Sequence, residues 1–209
     1  MEKKNTNALT NNVVSLNGEI ISNGEFNHEV FGEKFYMYTL SVKRLSGNTD
    51  EIPLVISERL IKPEELAIGT KITVSGQFRS YNVHEENGKN KLILFVFVRE
   101  IISEEKEKCN NIKLKGHICK PPVYRTTPLG REIADVLIAV NRPYGKSDYI
   151  PCICWGRNAK FTGELNVGDC IEITGRIQSR TYKKKISETE AEERKAYEVS
   201  VTRVTNVAE

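Results

Sequence analysis

From Val14 to the end of the chain, short apolar stretches of period two alternate with Gly, Pro, Asn and charged clusters. In the first half the stretches fall at Val14/Leu16, Phe35 to Val42, Ile52 to Ile56, Lys71 to Arg79 and Leu92 to Val98. In the second half they fall at Ile112 to Ile118, Ile133 to Asn141, Tyr149 to Cys154, Cys170 to Thr181 and Tyr197 to Val204. Alternation of this kind, rich in β-branched and aromatic residues, predicts half-buried strands. One stretch in each half reads as helix, between the third and fourth strands: Glu58 to Leu66 and Asn158 to Leu165. Residues 1–10 are polar, rich in Asn and Thr and without period, which predicts a disordered tail. Ser103 to Lys108 is charged and free of apolar residues, so residues 103–109 are expected to act as a linker.

The two halves repeat one another about 98 residues apart. Asp50-Glu51-Ile52-Pro53-Leu54-Val55-Ile56 returns as Asp148-Tyr149-Ile150-Pro151-Cys152-Ile153-Cys154, and Gly18 returns as Gly116. The register then slips by one, so that Ile72-Thr73-Val74-Ser75-Gly76 matches Ile171-Glu172-Ile173-Thr174-Gly175. A period this long is a duplicated domain, with copies at 11–102 and 110–209. Five strands with one helix between the third and fourth is the OB-fold arrangement, a small barrel whose curved face and loops take oligonucleotides or oligosaccharides. The expected fold is therefore all-β, two tandem OB-fold barrels.

Charge sharpens this picture once it is divided. The whole chain is only +3, but residues 1–109 hold 14 Lys and Arg against 16 Asp and Glu, a net of −2, whereas residues 110–209 hold 17 against 12, a net of +5. A polyanion should prefer the second copy. No apolar run approaches the roughly 20 residues of a membrane helix and no signal-peptide pattern opens the chain, so a soluble, cytoplasmic protein is expected. Cys109, Cys119, Cys152, Cys154 and Cys170 lie in or beside the second copy. The Cys152-Ile153-Cys154 spacing is too close for a zinc pair, and small buried thiols are expected instead. His28, His84 and His117 are scattered, and no phosphate loop, nucleophile signature or metal motif is present. The expectation is a binding protein, not an enzyme, without cofactor or metal.

The candidate binding residues follow from strand parity. Ile171, Ile173 and Ile177 share one side of the fourth strand of the second copy, while Arg176, Gln178, Arg180 and Tyr182 share the other and run into Lys183, Lys184 and Lys185. Tyr149 and Trp155 share parity on the third strand, with Tyr144 in the loop before it. Rings interleaved with cations suit single-stranded nucleic acid: rings stack on bases at about 1–3 kcal/mol each, and cations neutralise phosphates. The bland reading of these rings is core, but the first copy holds Ser46, Glu51, Ser57 and Val83 at the positions aligned with Tyr144, Tyr149, Trp155 and Tyr182. A core requiring rings there would not accept serine and glutamate in its sister.

The second copy resembles the bacterial single-stranded DNA-binding protein family. The resemblance is carried by Asn111-Ile112 leading to Gly116, Ala139-Val140-Asn141-Arg142, Asp148-Tyr149-Ile150-Pro151 through Trp155-Gly156-Arg157-Asn158-Ala159, Val167-Gly168-Asp169, and Thr174-Gly175-Arg176-Ile177-Gln178-Ser179-Arg180-Thr181-Tyr182. It implies base stacking at Tyr144, Tyr149, Trp155 and Tyr182. Phosphate contacts are expected at Arg142, Arg157, Arg176, Arg180 and Lys183 to Lys185, with Gln178 beside them. The expected ligand is single-stranded DNA without sequence preference, with RNA as a rival, in replication, repair, recombination or DNA transfer. Members commonly work as four OB domains, so a homodimer of this chain would supply them. They typically end in an acidic tail that recruits other enzymes, whereas this chain stops at Val207-Ala208-Glu209, so recruitment by that route is not expected. A first copy without rings is expected to serve assembly or to extend the platform.

Other classes remain open at this stage. A scaffold or primosome-like accessory protein acting through protein contacts would tolerate a ringless first copy, and a metal-dependent nuclease would need carboxylates that no motif marks. The acidic stretch 186–195 beside Lys183 to Lys185 reads as a solvated hairpin tip, or as a gate in which Glu188, Glu190, Glu192 and Glu193 compete with DNA for the lysines.

Overall fold

The structure, a computed structural model, describes residues 11–84, 88, 90–102, 109–185 and 191–207. The expected tail, the linker residues 103–108 and Glu188 and Glu190 of the acidic stretch lie outside the described residues. The first copy consists of β1 (Asn12–Ile20), β2 (Glu25–Val30), β3 (Glu33–Lys43), β4 (Thr49–Ser57), β5 (Lys71–His84) and β6 (Asn90–Ile102). The second consists of β7 (Asn110–Ile118), β8 (Val123–Thr126), β9 (Glu132–Asn141), β10 (Ser147–Trp155), α1 (Arg157–Gly163), β11 (Cys170–Lys185) and β12 (Ala191–Asn206).

Each copy closes a ring of five strands. β1 pairs with both β3 and β5, β3 with β4, β4 with β6 in parallel, and β6 with β5. β7, β9, β10, β12 and β11 repeat the circuit. One face of each alternating strand fills the ring: Leu16, Leu40, Ile52, Leu54, Val74, Phe78 and Val96 in the first, Leu114, Ile138, Ile150, Cys152, Ile173, Ile177 and Val199 in the second, all buried. The period-two pattern thus supplied the five ring strands of each copy. β2 and β8 are additions outside the rings, each a hairpin partner at an end of the sheet. Where the pattern predicts helix over Glu58 to Leu66, only a 3-10 turn forms at Pro63–Glu65. Pro63 lacks a backbone donor and disfavours helical backbone in the residue before it, so a helix cannot run through Lys62; the second copy has no proline there and forms α1.

The copies are joined edge to edge. β1 pairs antiparallel with β7, Asn12 opposite Leu114 and Leu16 opposite Asn110, which makes the two rings one continuous sheet. Long strands β5 and β11 then cross from one copy to the other. Each stays paired with its first strand only as far as a bulge at Ser75/Gly76 or Thr174/Gly175. A β-carbon at Gly76 would collide with the Phe97 carbonyl, and one at Gly175 with that of Ser200, so the bulges require glycine. Beyond the bulge the freed backbone needs new partners. Asn12 donates Nδ2 to Phe78 O at 2.8 Å and accepts Phe78 N at 2.9 Å, and Asn110 does the same for Ile177 at 2.7 and 2.9 Å. Two residues on, Ser80 N donates to Asp148 of the other copy at 2.7 Å, and Ser179 N donates to Asp50 at 2.8 Å. Asp50 and Asp148, the repeat's own aspartates, are fully buried.

Candidate nucleic-acid interface

β10 is laid down by alternation: Asp148, Ile150, Cys152 and Cys154 point in, Tyr149 and Trp155 point out. Tyr149 is 42% exposed and Trp155 36%, on the outside of the barrel where β10 passes β12. Trp155 Nε1 donates to Ser200 Oγ at 3.2 Å, which fixes the indole across β12. The Tyr149 backbone is held from the other copy, its N–H donating to Ser80 Oγ at 2.7 Å. Tyr144 sits in the turn Pro143–Gly145 that joins β9 to β10, its ring 99% exposed on a left-handed backbone of φ 64°. Arg142 N donates to Lys146 O at 2.7 Å and closes that turn. Tyr182 lies far out on β11, 38% exposed, with the Arg180 guanidinium 5.6 Å from its ring centre. All four rings therefore reach solvent on one copy.

The cations divide into two groups. Arg157, at the start of α1, and Lys183 are exposed. Lys184 and Lys185 continue β11 opposite Glu192 and Ala191, and Lys183 lies opposite Glu193. Arg180, largely exposed, is 3.6 Å from Glu198. Arg142, Arg176 and Gln178 have protein partners. Arg142 pairs with buried Asp148 at 3.2 Å, and Arg176 reaches buried Asp50 at 3.3 Å. Gln178, itself buried, donates to Glu198 at 2.6 Å and accepts from Arg176 at 2.9 Å. Arg176 thus pairs with a buried carboxylate across the seam and Arg142 with one inside its own copy, while Gln178 bridges Arg176 and Glu198.

Burial governs the titration of the site. Desolvation raises the Asp148 carboxyl above the ordinary range, opposed by the Ser80 N–H and by Arg142 and Arg79. Desolvation also lowers Arg176, helped by Arg44 and opposed by Asp50. The thiols of Cys152 and Cys154 are pushed up by burial, Cys154 to about 11. No group of three or more His, Cys, Asp or Glu among the described residues is placed to hold a metal ion. No helix among them is long and apolar enough to cross a membrane.

The first copy is not ringless. Positions Ser57, Phe35 and Phe97 correspond in the two pairing schemes to Trp155, Ile133 and Ser200: Phe35 pairs with Ser57 as Ile133 pairs with Trp155, and Phe97 pairs with Val55 as Ser200 pairs with Ile153. The second copy has its large ring on the third strand, whereas the first has serine there and two smaller rings on the neighbouring strands. His28 stacks on Phe35 with centroids 4.6 Å apart, Phe35 meets Phe97 at 5.7 Å, and the Arg79 guanidinium lies 3.9 Å over Phe97. A linear alignment of strands compares like positions, so a ring moved to the next strand escapes it.

Three comparisons bear on kinship. The sequence profile described as the Single-strand binding protein family matches residues 109–207. Single-stranded DNA-binding protein 1 of Staphylococcus aureus is 36% identical over 80 residues, 35% of this chain and 48% of that protein. Single-stranded DNA-binding protein B of Bacillus subtilis is 34% identical over 80 residues, 35% of this chain and 71% of that protein. The chain thus spans about half the length of the first of these relatives. The wild-type single-stranded DNA binding protein from Thermus aquaticus superposes on 95% of this chain and 93% of its own with a TM-score of 0.70 at 20% identity, and this likeness is one of fold. Kinship with the Bacillus protein over most of its length, together with the family profile over the residues that carry the exposed rings, makes this chain a member of the single-strand binding protein family.

Proposed function

We propose that the chain binds single-stranded DNA without sequence preference, its second copy stacking bases on Tyr144, Tyr149, Trp155 and Tyr182. Arg157, Arg180 and Lys183 to Lys185 meet the phosphates. The observation that carries this reading is the exposure of all four rings on a copy whose sister holds Ser46, Glu51, Ser57 and Val83 instead. Rings offered to solvent beside cations are a poor design for stability and a good one for unpaired bases, whose faces a duplex hides. Strands coated in this way are shielded from re-annealing and from nucleases, which serves replication, repair, recombination or DNA transfer. Two chains together would bring four barrels to one strand, and sedimentation with and without oligonucleotide reads that state.

Trp155 is the single tryptophan, so its fluorescence reports the platform directly. Titration with oligo(dT) at two salt concentrations is expected to quench it to saturation, with affinity falling at higher salt as counterion release requires. Flat fluorescence together with no complex on a gel would reject the reading. Competition by a matched RNA oligonucleotide settles the ligand, because stacking and phosphate neutralisation alone do not read the 2′-hydroxyl.

A further inference from the structure

The chemistry left unused lies on the first copy. Arg79 and Arg99 converge on Phe97, at 3.9 and 5.6 Å from its ring centre, and both guanidinium groups donate to the same acceptor, Gln77 Oε1, at 2.9 and 3.3 Å. Arg79 Nε is buried with no hydrogen-bond partner among the described residues. The equivalent place on the second copy differs in charge. There Gln178 lies opposite Glu198, which also takes Arg180, whereas here Arg79 lies opposite Phe95. Burial, Arg99 and Arg142 push the Arg79 guanidinium down to about 10, against the pull of Asp148. Two cations on one ring with one shared amide oxygen are under-neutralised, and an anion would relieve them.

The stack continues behind Phe97 through Phe35 to His28, on the hairpin of β2 and β3. That hairpin ends in Phe31, whose ring is fully exposed on a backbone of φ 49°. Phe31 and Tyr144 are the two non-glycine residues of positive φ among the described residues. Both are aromatic, both sit at the tip of a β-hairpin, and one belongs to each copy. Holding an aromatic residue in that conformation with its ring in water is costly for the fold and gains it no packing, so each ring is displayed for something outside the chain.

We infer that the first copy carries a second contact for single-stranded DNA, in which Arg79 and Arg99 hold phosphate over Phe97 and the rings of His28 and Phe31 offer faces to bases. The inference rests on the reading that the chain binds single strands, and it extends the path of the strand onto the copy of net negative charge. Arg142 connects the two contacts. It precedes Tyr144 in the second copy, and its charge is felt at Arg79 of the first, so the two contacts share one cationic neighbourhood.

The test uses the full chain and its Arg99→Gln variant, whose altered side chain is exposed and leaves the core untouched. Fluorescein-labelled oligo(dT) of about 8 nucleotides, within the span of one OB fold, and of about 30, beyond it, is titrated by anisotropy at several salt concentrations. Arg99→Gln is expected to lower affinity for the longer strand and to reduce the slope of log K against log salt by about 0.7, one phosphate contact. Phe97→Ser, which installs the residue of the second copy, should weaken the longer strand about fivefold or more. Quenching of Trp155 by the short oligonucleotide is the internal control for the second copy. Parent affinity and parent salt slope in both variants would overturn the inference while leaving single-strand binding intact; a parent chain that binds neither length would remove the reading beneath it. Bromodeoxyuridine cross-linking of the unaltered chain gives an independent answer. Adducts on the peptides carrying His28, Phe31 or Phe97 support the second contact, and adducts confined to peptides of residues 142–185 exclude it.

Discussion

Ser80 donates its backbone N–H to the buried carboxylate of Asp148 at 2.7 Å, across the seam between the two copies. The relation is reciprocal, since Ser179 N donates to Asp50 at 2.8 Å. Each copy therefore carries, at the start of its third ring strand, the anchor for the other copy's long hairpin. The two anchors differ in strength. Asp50 accepts Arg44 Nε at 2.7 Å and Arg176 Nη1 at 3.3 Å, whereas the oxygen of Asp148 that faces Arg142 has no aligned hydrogen bond. Asp50→Ala leaves two part-exposed guanidinium groups and a part-buried N–H without their carboxylate and is expected to cost about 3 kcal/mol, the low end for a broken buried pair. Asp148→Ala is expected to cost less, about 1–3 kcal/mol. Urea unfolding of both variants measures the difference, and equal costs would contradict the asymmetry.

The same contrast sets a pH dependence. Burial raises the folded-state pKa of Asp148 above the ordinary 3.8, so the folded chain binds the proton more readily than the unfolded chain. The stability linked to this group is then fully present below 3.8 and is lost as pH rises through the raised value. Asp148→Asn cannot titrate there. Stability measured from pH 7 down to pH 4 should shift in favour of the parent relative to Asp148→Asn as the pH falls, and a constant difference would show that Asp148 titrates normally.

Much of the architecture was legible because each ring strand buries one face, and period two records that fact residue by residue. β2 and β8 were missed for the complementary reason: Glu25–Val30 has no buried face, and Val123–Thr126 is exposed along its whole length. Parity found the exposed positions of Tyr149 and Trp155 but could not foresee the pairing of Arg176 with Asp50, because Asp50 belongs to the other copy and only the folded chain brings the two into contact. The displaced rings at Phe35 and Phe97 were hidden by the same limitation. Two strands that are neighbours in the ring are far apart in sequence, so an exchange of Trp155 and Ser200 for Ser57 and Phe97 looks like loss in one alignment column and coincidence in another.

The thiols should report burial directly. Cys152, Cys154 and Cys170 are buried, and desolvation holds the first two largely protonated in mildly alkaline buffer, where thiolate is the reactive form. Cys119 is also raised by burial. In the native chain no more than two of the five cysteines, Cys109 and Cys119, are expected to react rapidly with a disulfide reagent, and all five should react after denaturation. Fast labelling of Cys152 or Cys154 in the folded chain would show that the second ring opens on the timescale of the reaction.

Tyr144 offers a separation of stability from binding. Its left-handed backbone disfavours a side chain with a β-carbon, by about 1–2 kcal/mol for most residues, while asparagine tolerates it. The exposed ring has little packing to lose. Tyr144→Asn is therefore expected to raise stability by up to about 1 kcal/mol and, at the same time, to weaken oligo(dT) binding by the roughly 1–3 kcal/mol of a lost stacking platform. Tyr144→Phe keeps the ring and should preserve both properties. Thermal or urea unfolding and an anisotropy titration on the two variants decide the matter. A less stable Tyr144→Asn would mean the ring is packed after all; unchanged affinity would remove Tyr144 from the platform. The expected opposition of the two readouts would mark a residue kept for its ligand at a cost to the fold.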